Sequence, residues 1–283
     1  QSASVIYPGN SKWTMNKLQE IVIEKRKQVD ADKHLRPVEM LESSRYFNRT
    51  CGSIKEYIIR GDKSGIITEI KKKSPALGAI NTGIQVEDLA AAYTAAGASA
   101  LSVLTDQKFF GGCNSDLTAA RENTAIPILR KDFVIDAYQV YEAKSIGADV
   151  ILLIAAILTR NEIEQFAALA HRLGMEVILE LHAAQELEKI VDGIDVIGVN
   201  NRNLETMLID VNTSREMAKR VPAGFLKISE SGIEDPAIVP ELKALGYNGF
   251  LIGSHFMKQS NPAEACAAFI RQINKLNKDA YGA

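Results

Sequence analysis

Charged and amide side chains recur where short apolar runs end, and their spacing suggests acid–base chemistry. In 66–75, IITEIKKKSP, Glu69 and Lys71 stand two apart, so an extended chain projects both from one face. Lys131 ends the run in PILRKDF, Glu180 in EVILELH, Asn200 in IGVNNRNLET, and Glu230 with Ser231 in KISESGI. Burying a charge costs several kcal/mol or more unless it is paired or used, so such residues need a reason. Taken singly, a Lys or Glu at a strand end is ordinarily a solvated loop residue. Lys72, which points away from Lys71, reads as plain surface charge. Together, two acids, two lysines and an asparagine from separate runs favour a site, although structural ion pairs could account for part of the pattern.

A second group suggests phosphate binding. SGI and, in FLIGSHF, GSHF place Gly232, Gly253 and Ser254 after the last two runs, where backbone N–H groups can approach an anion. Lys73 and Ser74 follow the first run and could complete the clamp. Each glycine alone is an ordinary turn residue.

The elements that must position these groups repeat. Runs at 66–70, 99–104, 126–131, 150–154, 176–181, 196–199, 226–229 and 249–252 read as strands. Helical patterns at 86–96, 115–123, 137–146, 160–173, 184–191, 213–220, 236–245 and 262–276 alternate with them. AAGASAL, SIGADVI and ALGYNGF each end a helix, pass a glycine and enter a strand. Eight such units within 283 residues predict a (β/α)8 TIM barrel, whose typical size is roughly 250 residues. A doubly wound sheet is the alternative, but no glycine-rich nucleotide loop follows the first strand. Barrel active sites lie at the C-terminal ends of the strands, which is where the charges collect. Residues 1–15 read as a tail or processed end, 16–60 as a helical extension packed on one end of the barrel, and 61–283 as the barrel.

Composition restricts the remaining classes. A net charge of −2 gives no basic footprint for nucleic acid. The longest apolar stretch, 149–158, is shorter than the about 20 residues needed to span a bilayer, so no membrane partner is expected. Three separated cysteines, Cys51, Cys113 and Cys266, form neither a metal motif nor a disulfide framework, and they predict a reducing cytoplasm. None of His34, His171, His182 and His255 has a partner at metal spacing. His171 reads as surface, His182 has no assigned duty, and His255 adjoins the phosphate glycines. No motif for a nicotinamide, flavin or metal is present, so no cofactor is expected.

In this order, EIKKKSP, VLTDQKFFGG, PILRKDF, ADVILLIAAIL, GMEVILELH, IGVNNRNLET, ISESGI and FLIGS resemble indole-3-glycerol-phosphate synthase of tryptophan biosynthesis, over residues 16 to about 275. The resemblance implies a carboxy-lyase without cofactor. It closes the indole ring of 1-(2-carboxyphenylamino)-1-deoxyribulose 5-phosphate, releasing CO2 and water. By the same resemblance Lys131 is the acid on the ribulose carbonyl, and Glu69 and Lys71 serve ring closure and dehydration. Glu180 is a further acid–base carboxylate, while Asn200 and Ser231 orient the substrate with Glu230 beside them. Phe110 and Phe133 resemble a wall for the anthranilate ring, and Arg202 a support for the site or the substrate carboxylate. Lys73, Ser74, Gly232, Gly253 and Ser254 match phosphate contacts.

The chain departs from many relatives at Ala76-Leu77-Gly78, which bears on loop closure. Phosphoribosylanthranilate isomerase, another phosphate-binding barrel, normally uses a Cys/Asp pair, and the two lysines argue against it. A non-catalytic barrel is the remaining rival. The resemblance also raises association with other tryptophan-pathway enzymes, on which the sequence itself is silent.

Overall fold

The computed structural model describes residues 15–204 and 206–281. The expected tail falls outside them except for Met15, which opens helix α1 (Met15–Leu35). Eight parallel strands close into a barrel in sequence order. They are β1 (Ile66–Ile70), β2 (Ala100–Leu104), β3 (Ile128–Lys131), β4 (Val150–Ile154), β5 (Glu176–Leu181), β6 (Val196–Asn200), β7 (Leu226–Glu230) and β8 (Gly249–Ile252). Among the described residues no helix is long and apolar enough to cross a membrane.

The strand boundaries differ from the sequence reading for local reasons. β3 begins at Ile128 because Pro127 has no N–H to give a neighbouring strand. β6 and β7 run on through Asn200 and Glu230, which pair in register. The segment after β5, expected as an ordinary helix, is a short 3-10 helix, Ala184–Lys189. Glu186 there accepts the backbone N–H of His182 at 2.7 Å and pulls the turn tight against the strand end.

Two apolar layers hold the barrel. Ile67, Leu129, Ile178, Val196, Ile228 and Leu251 fill its interior. Outward-facing side chains such as Ile66, Leu101, Ile151 and Val177 pack against the surrounding helices. The N-terminal extension touches both ends, not one as the sequence suggested. Ile54 and Ile58, from helix Ile54–Ile59, join the interior cluster from below. Glu176, at the start of β5, accepts Ser53 Oγ at 2.6 Å and Lys55 N at 3.1 Å, fixing that plug.

Helix α1 instead reaches the upper rim. Lys25 lies fully buried, its Nζ 2.9 Å from Asp106 Oδ2 and 2.8 Å from Asp132 Oδ1. Asp132 also meets Arg130 at 3.1 Å, and Arg130 meets Glu142 at 2.5 Å. Burial pushes Asp132 up, but the Lys25 and Arg130 charges hold it at about 2. Asp132 and its neighbour Phe133 follow Lys131 directly, so this network ties α1 to the strand end that carries the lysine. Removing one partner of a buried ion pair strands the other charge, at about 3–5 kcal/mol. Lys25→Met should therefore lower stability by about that amount in urea unfolding. A change below about 1 kcal/mol would show that the network does not hold the rim.

Candidate active site

Alternation along the strands builds the site. Ile67, Leu129, Ile178 and Ile228 share the barrel interior. Two residues further along the same strands come Glu69, Lys131, Glu180 and Glu230, which therefore point inward one layer higher. All four come from alternate strands, β1, β3, β5 and β7, as in the layered filling of such barrels. The next layer up those strands holds Lys71, Phe133, His182 and Gly232. The four elements that close the floor of the cavity thus also supply its charge.

Small residues make room for that layer. A Cβ on Gly198 would stand 2.3 Å from Glu230 Oε1, and one on Gly253 would stand 2.4 Å from Glu69 Oε1. Each carboxylate occupies the space that a side chain on the adjacent strand would fill.

Two ion pairs organise the electrostatics. Lys131 Nζ lies 2.5 Å from Glu180 Oε2 and 3.6 Å from Glu230 Oε2. Lys71 Nζ lies 2.5 Å from Glu69 Oε1. Burial works against the Lys131 ammonium, but the carboxylates around it, the Glu180 charge foremost, outweigh it and raise the lysine. Burial also pushes Glu180 up, yet the Lys131 charge holds it at about 2. Glu230 goes the other way: burial and the neighbouring Glu180 charge push it well above the carboxylate range, beyond what Lys131 offsets. Glu230 is therefore the neutral acid and shares its hydrogen with Glu180.

These groups line one cavity of about 330 Å³. Phe110 and Phe133 form an aromatic wall, with ring centroids 6.0 Å apart and planes at 39°. Asn200 Oδ1 accepts Arg202 N at 3.0 Å, and Arg202 Nη1 donates to the Met207 carbonyl at 3.2 Å, folding the loop after β6 over the mouth. Ser74, Ser231, Gly232, Gly253 and Ser254 also line it. Ser231 and Gly232 both have positive φ, 67° and 76°, so the backbone turns sharply there. A Cβ on Gly232 would strike Ile209 Cγ2 at 2.6 Å.

Two lysines stand elsewhere than the sequence reading put them. Lys73 does not line the cavity; its Nζ donates to the Lys108 carbonyl at 2.6 Å. Lys72 is no free surface charge, because it binds both oxygens of Asp116 at 2.7 and 2.8 Å. His255 lies against the rings of Phe256 and Phe269, with centroids 5.4 and 5.7 Å away.

Sequence reasoning missed several lining residues. Leu18 and Ile21 reach the cavity from α1, and Leu204, Met207 and Ile209 from the loop after β6. His182 is also in the wall, with Nε2 3.2 Å from Glu180 Oε1. It stands two residues beyond Glu180, so the alternation that pairs Lys71 with Glu69 also points to it.

Comparison with known proteins gives a consistent answer. The family model for Indole-3-glycerol phosphate synthase matches residues 18–269. The indole-3-glycerol phosphate synthase of Bacteroides thetaiotaomicron is 46% identical over 256 residues, covering 90% of this chain and 98% of the relative. That of Dechloromonas aromatica is 39% identical, covering 88% and 97%. A chain of the tryptophan synthase complex of Pyrococcus furiosus superposes at TM-score 0.54 and 15% identity, over 76% of this chain and 99% of that one, which shows the shared barrel fold alone. With the family model spanning the barrel and the extension, the chain belongs to the indole-3-glycerol phosphate synthase family, carboxy-lyases of tryptophan biosynthesis.

Proposed function

We propose that Lys131 is the acid that closes the indole ring of 1-(2-carboxyphenylamino)-1-deoxyribulose 5-phosphate in this cavity. The observation that supports it is a buried ammonium, kept charged by Glu180 at 2.5 Å, inside a pocket with an aromatic wall. Proton donation needs a group that is protonated and within reach of the developing oxyanion.

The steps follow from that placement. The aromatic carbon bearing the carboxylate attacks the ribulose carbonyl carbon, and the carbonyl oxygen takes the Lys131 proton to become a hydroxyl. The carboxylate then leaves as CO2, its bonding pair neutralising the cationic ring system. Loss of the hydroxyl as water, with a proton from Lys71, and loss of a ring proton to a carboxylate complete the indole. Lys71, held by Glu69, stands two residues above the acid layer and serves this last step. Glu180 takes up or relays a proton, and Glu230, being neutral, can return one. Phe110 and Phe133 bracket the anthranilate ring, Asn200 and Ser231 orient the sugar chain, and Arg202 faces the carboxylate. Backbone N–H groups at Gly232 and Gly253, with the hydroxyls of Ser74 and Ser254, take the phosphate. Lys73 contributes only if its side chain leaves the Lys108 carbonyl.

Conversion of the substrate can be followed by the rise of indole fluorescence. Lys131→Ala should lower kcat by roughly 100- to 10,000-fold with the circular dichroism spectrum unchanged. Turnover near the wild-type rate would remove Lys131 from the acid role. Glu180→Gln keeps the shape but drops the charge, and kcat should fall by at least about tenfold. Ser254→Ala should raise KM by about fivefold, the weight of one hydrogen bond of ~1 kcal/mol, with kcat nearly constant. An unchanged KM would move the phosphate away from Ser254.

A further inference from the structure

His182 has no part in the steps above, yet its surroundings are those of a working residue. Its side chain is 5% exposed, with Nε2 3.2 Å from Glu180 Oε1, while Glu180 Oε2 lies 2.5 Å from Lys131. Its Nδ1 is buried without a hydrogen-bond partner, in a residue that lines the cavity. Its backbone N–H is fixed by Glu186 at 2.7 Å. A carboxylate only accepts, so the contact requires the proton on Nε2.

We propose that His182 is the positioning residue of Glu180: its Nε2–H lies against Oε1, leaves Oε2 to Lys131, and keeps the carboxylate turned to the lysine. The inference rests on the role given to Glu180 above. Four charged groups face the imidazole: Glu180, Glu186, Lys131 and Arg202. Burial lowers its affinity for a second proton, against the two carboxylates, and the two cations lower it further. Burial therefore favours the neutral ring.

The consequence concerns the hydrogen shared by Glu180 and Glu230. An N–H beside Glu180 Oε1 favours the anion on Glu180, and the adjacent Glu180 charge keeps the hydrogen on Glu230. Without that donor the two buried carboxyls become closer to equivalent. Part of the Glu180 charge that holds Lys131 is then lost, and the carboxylate is free to rotate off the lysine.

Indole fluorescence on the carboxyphenylamino-deoxyribulose phosphate, with wild type, E180Q, H182F, H182Q and E180Q/H182F, tests this. H182F should lower kcat by roughly 10- to 100-fold, the scale of misplacing a reacting group. H182Q, whose amide N–H reaches the former Nε2 position, should recover most of that loss. E180Q/H182F should be no slower than E180Q, because no carboxylate is left to hold. Three results would overturn the inference: H182F within about twofold of wild type, H182Q no better than H182F, or losses that multiply in the double variant. If circular dichroism shows H182F unfolded, H182N replaces it, since its shorter amide cannot reach Glu180. E180Q at the wild-type rate would overturn the role of Glu180 itself, whereas a slow E180Q with a fast H182F overturns only the assignment of His182.

Discussion

The charge on Lys131 is the constraint around which the barrel mouth is arranged. An ammonium shut away from water survives only if carboxylates surround it, and carboxylates crowded together survive only if one of them gives up its charge. Both conditions are met in a single layer. Glu180 lies against the lysine, Glu230 stands behind it, and burial beside Glu180 pushes Glu230 well above the carboxylate range. A lysine held in this way stays protonated yet has an exchange partner at contact distance, which is the condition for an acid that must be recharged after each turnover.

That layer depends on strand register more than on any loop. Glu69, Lys131, Glu180 and Glu230 continue the inward rows of Ile67, Leu129, Ile178 and Ile228, so a slip of one residue would send a charge into the helical shell. Gly198 and Gly253 then keep the neighbouring strands from filling the same space. Outside the barrel, Lys25, Asp106, Asp132, Arg130 and Glu142 brace the end of β3 against α1. Stability and chemistry meet there, because Asp132 and Phe133 follow Lys131 in the chain.

Much of this was legible in the sequence. Short apolar strand runs with charged ends, separated by amphipathic helices and glycine stops, implied the barrel and pointed to its charged layer. Residues whose meaning depends on distant partners were not legible. Lys25 looks like one more charge on a polar helix until Asp106 and Asp132, some 80 to 110 positions away, close over it. Lys72 read as surface charge and Lys73 as part of the phosphate clamp, and only the turn after β1 sends one to Asp116 and the other to the Lys108 carbonyl. His182 was legible in principle by alternation, but its weight comes from burial, which spacing does not report.

The central claim is that Lys131 stays charged through the alkaline range because of its carboxylate neighbours. The most direct test is a pH titration of the Lys131 side chain by heteronuclear NMR, on protein labelled at the lysine Cε and assigned with Lys131→Arg. The account predicts a signal that keeps the shift of a charged lysine beyond about pH 10, where an ordinary lysine is already losing its proton. A midpoint below about pH 9 would mean that burial wins over the carboxylates, and the acid of the reaction would have to be found elsewhere.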